Sequence, residues 1–126
     1  MILDRLEIPA GIDSPYVCLD ASTGVCELTG KSYPEDITEF DSDVVAWFEA
    51  YILEGKKDLN INIKLSYYNS SSQKVYTDIL EKLIDSQNFE VIVNWCHAED
   101  DEDMLDAGKE FSKLVDVPFK FISYKR

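Results

Sequence analysis

The chain has 126 residues, 45% hydrophobic and 29% charged, with 5 Gly and 4 Pro. This is the profile of one ordinary globular domain, 1–126, able to bury about two thirds of its unfolded surface without a metal or disulfide to hold it. Twelve Lys and Arg against 25 Asp and Glu give a net charge of −13, with −9 in residues 1–63 and −4 in 64–126, which excludes the basic face that nucleic-acid phosphates or anionic lipids require.

No apolar run approaches the ~18 residues of a membrane span. The start, Met1-Ile-Leu-Asp-Arg-Leu-Glu7, lacks the basic end and long apolar stretch of a signal peptide, so a cytoplasmic location is expected. Strand-like runs come first, at Leu3–Ile8, Tyr16–Asp20 and Val25–Thr29, with turn residues Asp20-Ala-Ser-Thr-Gly24 between the last two. A hairpin turning near Ser22 sets Cys18 opposite Cys26. Three cysteines without a C-x-x-C pair argue against both a disulfide framework and a zinc site, so free thiols are expected.

Ile37, Phe40, Val44, Phe48 and Tyr51 recur at helical spacing, with Pro34 suited to the entry and Gly55 to the stop. Leu59, Ile61, Ile63, Leu65 and Tyr67 alternate with polar residues, predicting a strand with one apolar face. A helix over Ser71–Ser86 carries Tyr76, Ile79, Leu80, Leu83 and Ile84 as its apolar stripe. Phe89, Val91, Val93 and Trp95 alternate again. A third helix carries Met104, Gly108, Phe111 and Val115, and Phe119–Tyr124 closes as a strand. The order β-β-β-α-β-α-β-α-β implies an α/β (α+β) fold, in which right-handed crossovers make parallel pairs beside an antiparallel hairpin. The half-polar Leu59–Tyr67 strand places the helices mainly on one face of a mixed sheet, since strands covered on both faces read as continuously apolar.

Two stretches carry candidate chemistry. Cys96-His97 and the acidic run Glu99-Asp-Asp-Glu-Asp103 with Asp106 offer hard-cation ligands, the basis of an alternative reading as a metal- or small-molecule-binding protein using His97–Asp106. The same run reads as the start of a helix, where carboxylates suit the dipole. His97 is the single histidine, no nucleotide-binding glycine motif occurs, and no catalytic residue, metal or cofactor is expected. The second stretch is Tyr67-Tyr-Asn-Ser-Ser-Ser-Gln-Lys74, a strand-to-helix turn with three hydroxyls. One cap explains one of them. A phosphoacceptor is the other reading, because the free amides of a helix start favour a dianion.

Gly30-Lys-Ser-Tyr-Pro-Glu35, Tyr68-Asn-Ser-Ser-Ser72 with Lys74, Trp95, Asp101-Glu-Asp-Met104, Gly108, Phe111 and Pro118-Phe119 occur together in this order. In this the chain resembles the SiaC family of bacterial regulatory phosphoproteins over nearly its whole length. The resemblance implies a STAS-like fold, as in anti-sigma-factor antagonists, and a non-enzymatic role in partner switching. It implies phosphorylation of the hydroxyl directly after Asn69, here Ser70, with Ser71 and Ser72 as the next candidates. A serine/threonine kinase would add the phosphate and a PP2C-type phosphatase remove it. The unphosphorylated form would bind and activate an effector, a diguanylate cyclase, raising cyclic di-GMP and promoting biofilm formation. Asn69, Lys74, Tyr33, Pro34 and Glu35 are the expected phosphate- or partner-proximal residues, and an acidic, unbroken surface favours a monomer in the free state.

Overall fold

Residues 5–33, 37–54, 58–85, 90–115 and 117–125 are described by the computed structural model. They form strands β1 (Leu6–Ile8), β2 (Tyr16–Asp20), β3 (Val25–Ser32), β4 (Asp58–Tyr68), β5 (Glu90–Ala98) and β6 (Phe119–Tyr124), with helices α1 (Ile37–Leu53), α2 (Ser70–Asp85) and α3 (Glu102–Leu114). The element order is the expected one. β2 and β6 have the expected bounds, and α2 starts one residue earlier. β3 runs three residues beyond Thr29, through Gly30, whose φ of +114° only glycine adopts without strain.

The six strands lie in sequential order β1-β2-β3-β4-β5-β6, antiparallel across β1–β2–β3 and parallel across β3–β4–β5–β6. Each parallel crossover steps in the same direction, so right-handedness delivers all three helices to one face. The core lies between that face and the helices. It contains Val17, Leu19, Cys26, Leu28, Leu59, Ile61, Ile63, Leu65, Val91, Val93 and Trp95 from the sheet, and it receives the stripes of the helices. From α1 these are Val44, Trp47, Phe48 and Tyr51, and from α3 Met104 and Phe111. The side chains of Ile37 and Phe40, and the residues Gly55 and Phe89, lie outside the described residues.

Two registers differ from expectation, for one reason: a single residue of offset exchanges the faces of a strand. The β2–β3 ladder pairs Cys18 with Glu27 and Leu19 with Cys26. Cys26 therefore sits in the core, while Cys18 lies on the opposite, solvent-facing side, so the two do not face each other. Both are free thiols, as is Cys96. Burial pushes the Cys26 thiol up to about 12. At about pH 8 the native protein should show Cys18 as its most reactive thiol to an aromatic disulfide reagent, with Cys96 slower because burial pushes its thiol up as well. Cys26 should react only after unfolding, and all three reacting at one rate would contradict this packing.

The second offset is in β4. Gly30 pairs with Leu65, but Lys31 pairs with Tyr67, so Ser66 is an extra residue and the ladder bulges. The bulge breaks the alternation that places Tyr67 on the apolar face. Tyr67 is instead 52% exposed, and Tyr68 turns toward the core, edge-on to Trp95 at 5.9 Å between ring centroids. The bulge stands immediately before the serine turn.

Candidate functional site

The turn after β4 is built from its backbone outward. Asn69 donates its N–H to the Ser32 carbonyl at the end of β3 (3.0 Å) and accepts from the Gln73 N–H (3.0 Å). Its Oδ1 accepts from the Ser72 N–H at 2.9 Å. Asn69 is thus the N-cap of α2, and Ser70, Ser71 and Ser72 are its first three helical residues. Such a cap is worth about 0.5–2 kcal/mol.

The three serines have separate fates because successive helical residues point about 100° apart. Ser70 and Ser71 are exposed, and among the described residues no hydrogen bond engages either hydroxyl. Ser72 is fully buried. Its Oγ donates to the Ser32 carbonyl at 2.8 Å. Ser32 Oγ donates to Ser72 Oγ (2.8 Å) and lies 2.6 Å from the Tyr76 hydroxyl. Ser72 is therefore a structural residue, which corrects the expectation that it shares candidacy with its neighbours. Burial also holds the Tyr76 phenol up at about 12, so this hydroxyl cluster is uncharged.

Charge distinguishes α2 from its neighbour. α3 opens on Asp101, whose carboxylate caps the Met104 N–H at 3.0 Å, followed by Glu102 and Asp103. α2 has no acidic residue in its first turn, in a chain of net charge −13. Lys74, exposed, stands four residues beyond Ser70, the spacing at which helical side chains meet. An amide-rich helix end with a cation nearby is suited to receive a phosphate. Tyr33 flanks the turn from the β3 side, half-buried, with its ring edge-on to Tyr67 at 5.5 Å. Pro34 and Glu35 lie outside the described residues. On the other side a groove of about 500 Å³ opens between the end of β4 and the start of α3, lined by Ser66, Tyr67, Tyr68, Asp101, Asp103, Met104 and Ala107.

The rival constellation does not assemble. Cys96 pairs with Ile122 and His97 with Ser123, on opposite faces of β5. His97 is buried, with Nδ1 3.0 Å from the Ala98 carbonyl. Asp101 serves as a cap, and among the described residues no three His, Cys, Asp or Glu gather as metal ligands.

The scattered sequence motifs instead converge beneath the turn. Trp95, fully buried, donates its indole N–H to the Met104 carbonyl at 3.0 Å. Its ring packs on Phe111 (5.7 Å) and Phe119 (6.2 Å) and against the edge of Tyr68. Gly108 completes the contact, because a Cβ there would lie 2.5 Å from the indole. From the other side, the end of β3 brings Gly30 and Ser32 alongside the bulge in β4. Sequence reasoning missed Ser32 and Tyr76 as parts of the site. Period-two extension of β3 beyond Gly30 turns Ser32 inward and backward extension of the Tyr76 stripe reaches Ser72, but neither pattern pairs the two.

Comparison with known proteins agrees with this architecture. The profile of the SiaC family regulatory phosphoproteins matches residues 8–124. An uncharacterised protein of Pseudomonas aeruginosa (strain UCBPP-PA14) is 29% identical over 119 residues, spanning 93% of this chain and 94% of that one. Among solved structures, the complex of the diguanylate cyclase SiaD with its activator SiaC from P. aeruginosa contains a similar chain. It is 28% identical, with a TM-score of 0.87, covering 94% of this chain and 99% of that one. Apo-SiaC of the same organism is 27% identical, with a TM-score of 0.81, over 94% and 98% of the two chains.

Proposed function

Since the chain belongs to the SiaC family of regulatory phosphoproteins, we propose that it is a non-enzymatic, cytoplasmic signalling adapter whose unphosphorylated form binds and activates a diguanylate cyclase. Ser70 is the phosphoacceptor. A serine/threonine kinase loads it and a PP2C-type phosphatase clears it, so that cyclic di-GMP output, and with it biofilm formation, follows the state of one hydroxyl. The STAS-like partner-switching logic places the turn Asn69–Lys74, together with the exposed side of α2, against whichever partner is bound.

One observation carries this reading. Ser70 is exposed directly after the capping Asn69, at a helix end with no carboxylate in its first turn. A phosphate of charge about −1.5 to −2 is tolerated there by the fold, yet any partner packed over the turn must desolvate it. The similarity to an activator solved together with its cyclase supports the choice of effector. Among the described residues no helix is long and apolar enough to cross a membrane.

The test is the mass of the intact protein from its native cells, followed by peptide mapping. The expected result is a species one phosphate heavier, localised to Ser70 and removed by a PP2C-type phosphatase. A phosphate mapped to Ser71 would move the acceptor by one residue. None under any growth condition would remove the switch.

A further inference from the structure

We infer that Ser32 is the positioning residue of the acceptor turn, holding the first turn of α2 so that Ser70 and Ser71 face solvent while Ser72 is reserved for the fold. This deepens the proposed phosphoacceptor role and rests on it for its biological meaning, though not for its structural test.

Ser32 uses both of its polar groups on the turn. Its carbonyl accepts twice, from the Asn69 N–H at 3.0 Å and the Ser72 hydroxyl at 2.8 Å. Its own hydroxyl lies 2.8 Å from Ser72 Oγ and 2.6 Å from Tyr76 Oη. Each hydroxyl carries a single proton. Ser72 gives its proton to the Ser32 carbonyl and Ser32 gives its own to Ser72, so Tyr76 is the donor to Ser32. The protons run one way, Tyr76 to Ser32 to Ser72 to the Ser32 carbonyl, and linked bonds of this kind polarise one another in a dry environment.

The environment is dry. Ser32 and Ser72 are 0% exposed and Tyr76 3%, so no partner reads these groups directly. Ser32 stands 40 residues from Ser72 in the chain. The contact therefore ties the end of β3 to the start of α2 across the β4 bulge, and fixes the rotation of α2 about its axis. At 100° per residue, that rotation decides which of three consecutive serines points outward. Removing the Ser32 hydroxyl leaves two buried hydroxyls without their shared partner, and the turn has less to gain from its present rotation.

The test is amide hydrogen exchange on the full-length protein, comparing Ser32→Ala, Tyr76→Phe and a control, Val17→Ala, in the distant β2 strand. Ser32→Ala should speed exchange of the hydrogen-bonded amides of the turn, those of Asn69, Ser72 and Gln73, by about tenfold, the factor that goes with losing one net hydrogen bond. Tyr76→Phe, which removes only one of the two bonds of the Ser32 hydroxyl and leaves the one to Ser72, should speed them less. Val17→Ala should leave the turn no faster than its loss of global stability requires. If the turn exchanges no faster in Ser32→Ala than in Val17→Ala, the inference is wrong.

A second arm measures the phosphorylated fraction at Ser70 in native cells. It should fall several-fold in Ser32→Ala and not in Val17→Ala. A wild-type protein that carries no phosphate defeats the proposed switch while the exchange result still decides the role of Ser32. A phosphorylated fraction equal in Ser32→Ala and wild type, despite a loosened turn, defeats the claim that positioning serves the kinase.

Discussion

Ser70→Ala should bind the cyclase regardless of kinase activity, and Ser70→Asp should bind it at least a hundredfold more weakly, a cost of about 2.7 kcal/mol in the complex. The expectation rests on two effects of opposite sign. At the first helical position of α2 a carboxylate is favoured by the unpaired amides and the dipole, by about 0.3–1 kcal/mol. That turn has no acidic residue to compete, and Lys74 stands one turn along. The Asp variant should therefore be at least as stable as the parent by urea or thermal unfolding. In a packed interface the same charge must lose its water, at a cost of several kcal/mol. Stability and affinity thus move in opposite directions, which separates a switch from simple damage to the fold. Aspartate carries less charge than a phosphoserine, so the phosphorylated protein itself should bind more weakly still. Ser71→Asp, one residue further round the helix, should have a smaller effect. Equal cyclase binding by the Ala and Asp variants at position 70 would end the proposal. An Asp variant that binds poorly because it has unfolded would remove its physical basis.

Much of the fold was legible because periodicity survives in this chain. The stripe Ile79, Leu80, Leu83 named α2, and the half-polar alternation of Leu59–Leu65 put the helices on one face, as the sheet order bears out. What was lost lay at single-residue offsets, which period-two reasoning cannot resolve. The hairpin pairs Asp20 with Val25 rather than centring on Ser22, so Cys18 and Cys26 point to opposite faces. The extra Ser66 sends Tyr67 outward and Tyr68 inward. At the candidate site, Asn69 and the serine run were visible as a helix start. The division of labour among the serines was not read, although Ser72, Val75, Tyr76, Ile79, Leu80 and Leu83 form one continuous helical stripe. A serine at the head of an apolar stripe reads as a surface residue until its buried partner is known. Here that partner is Ser32, which no local pattern connects to position 72. The acidic run misleads in the reverse sense. Its carboxylates suggest ligands, but Asp101 caps α3, and strand alternation separates His97 from Cys96.

Gly108→Ala should be among the most damaging small substitutions in the chain. A Cβ at that position would lie 2.5 Å from both Cδ1 and Nε1 of Trp95 and 2.7 Å from Cε2. The indole cannot retreat easily. It is fully buried, donates to the Met104 carbonyl, and is backed by Phe111, Phe119 and Tyr68. Overpacking of this kind costs about 1–3 kcal/mol, which for a domain of this size lowers Tm by roughly 5–15 °C. Helix propensity predicts the opposite, since Ala exceeds Gly by about 1 kcal/mol in a helix interior. The sign of the change therefore decides between the two effects. A double-mutant cycle isolates the contact. The three clashing atoms belong to the five-membered ring of the indole, so Trp95→Phe clears the space that the new methyl needs. That replacement alone should cost about 1–3 kcal/mol, through the lost N–H bond to a buried carbonyl. In the Phe background, Gly108→Ala should be nearly neutral or stabilising, giving a coupling of at least about 1 kcal/mol. Because Trp95 supports Tyr68, the residue before the capping Asn69, the single Gly108→Ala variant should also weaken cyclase binding at temperatures where it remains folded. Equal costs of Gly108→Ala in the Trp and Phe backgrounds would show that the indole is not what position 108 makes room for.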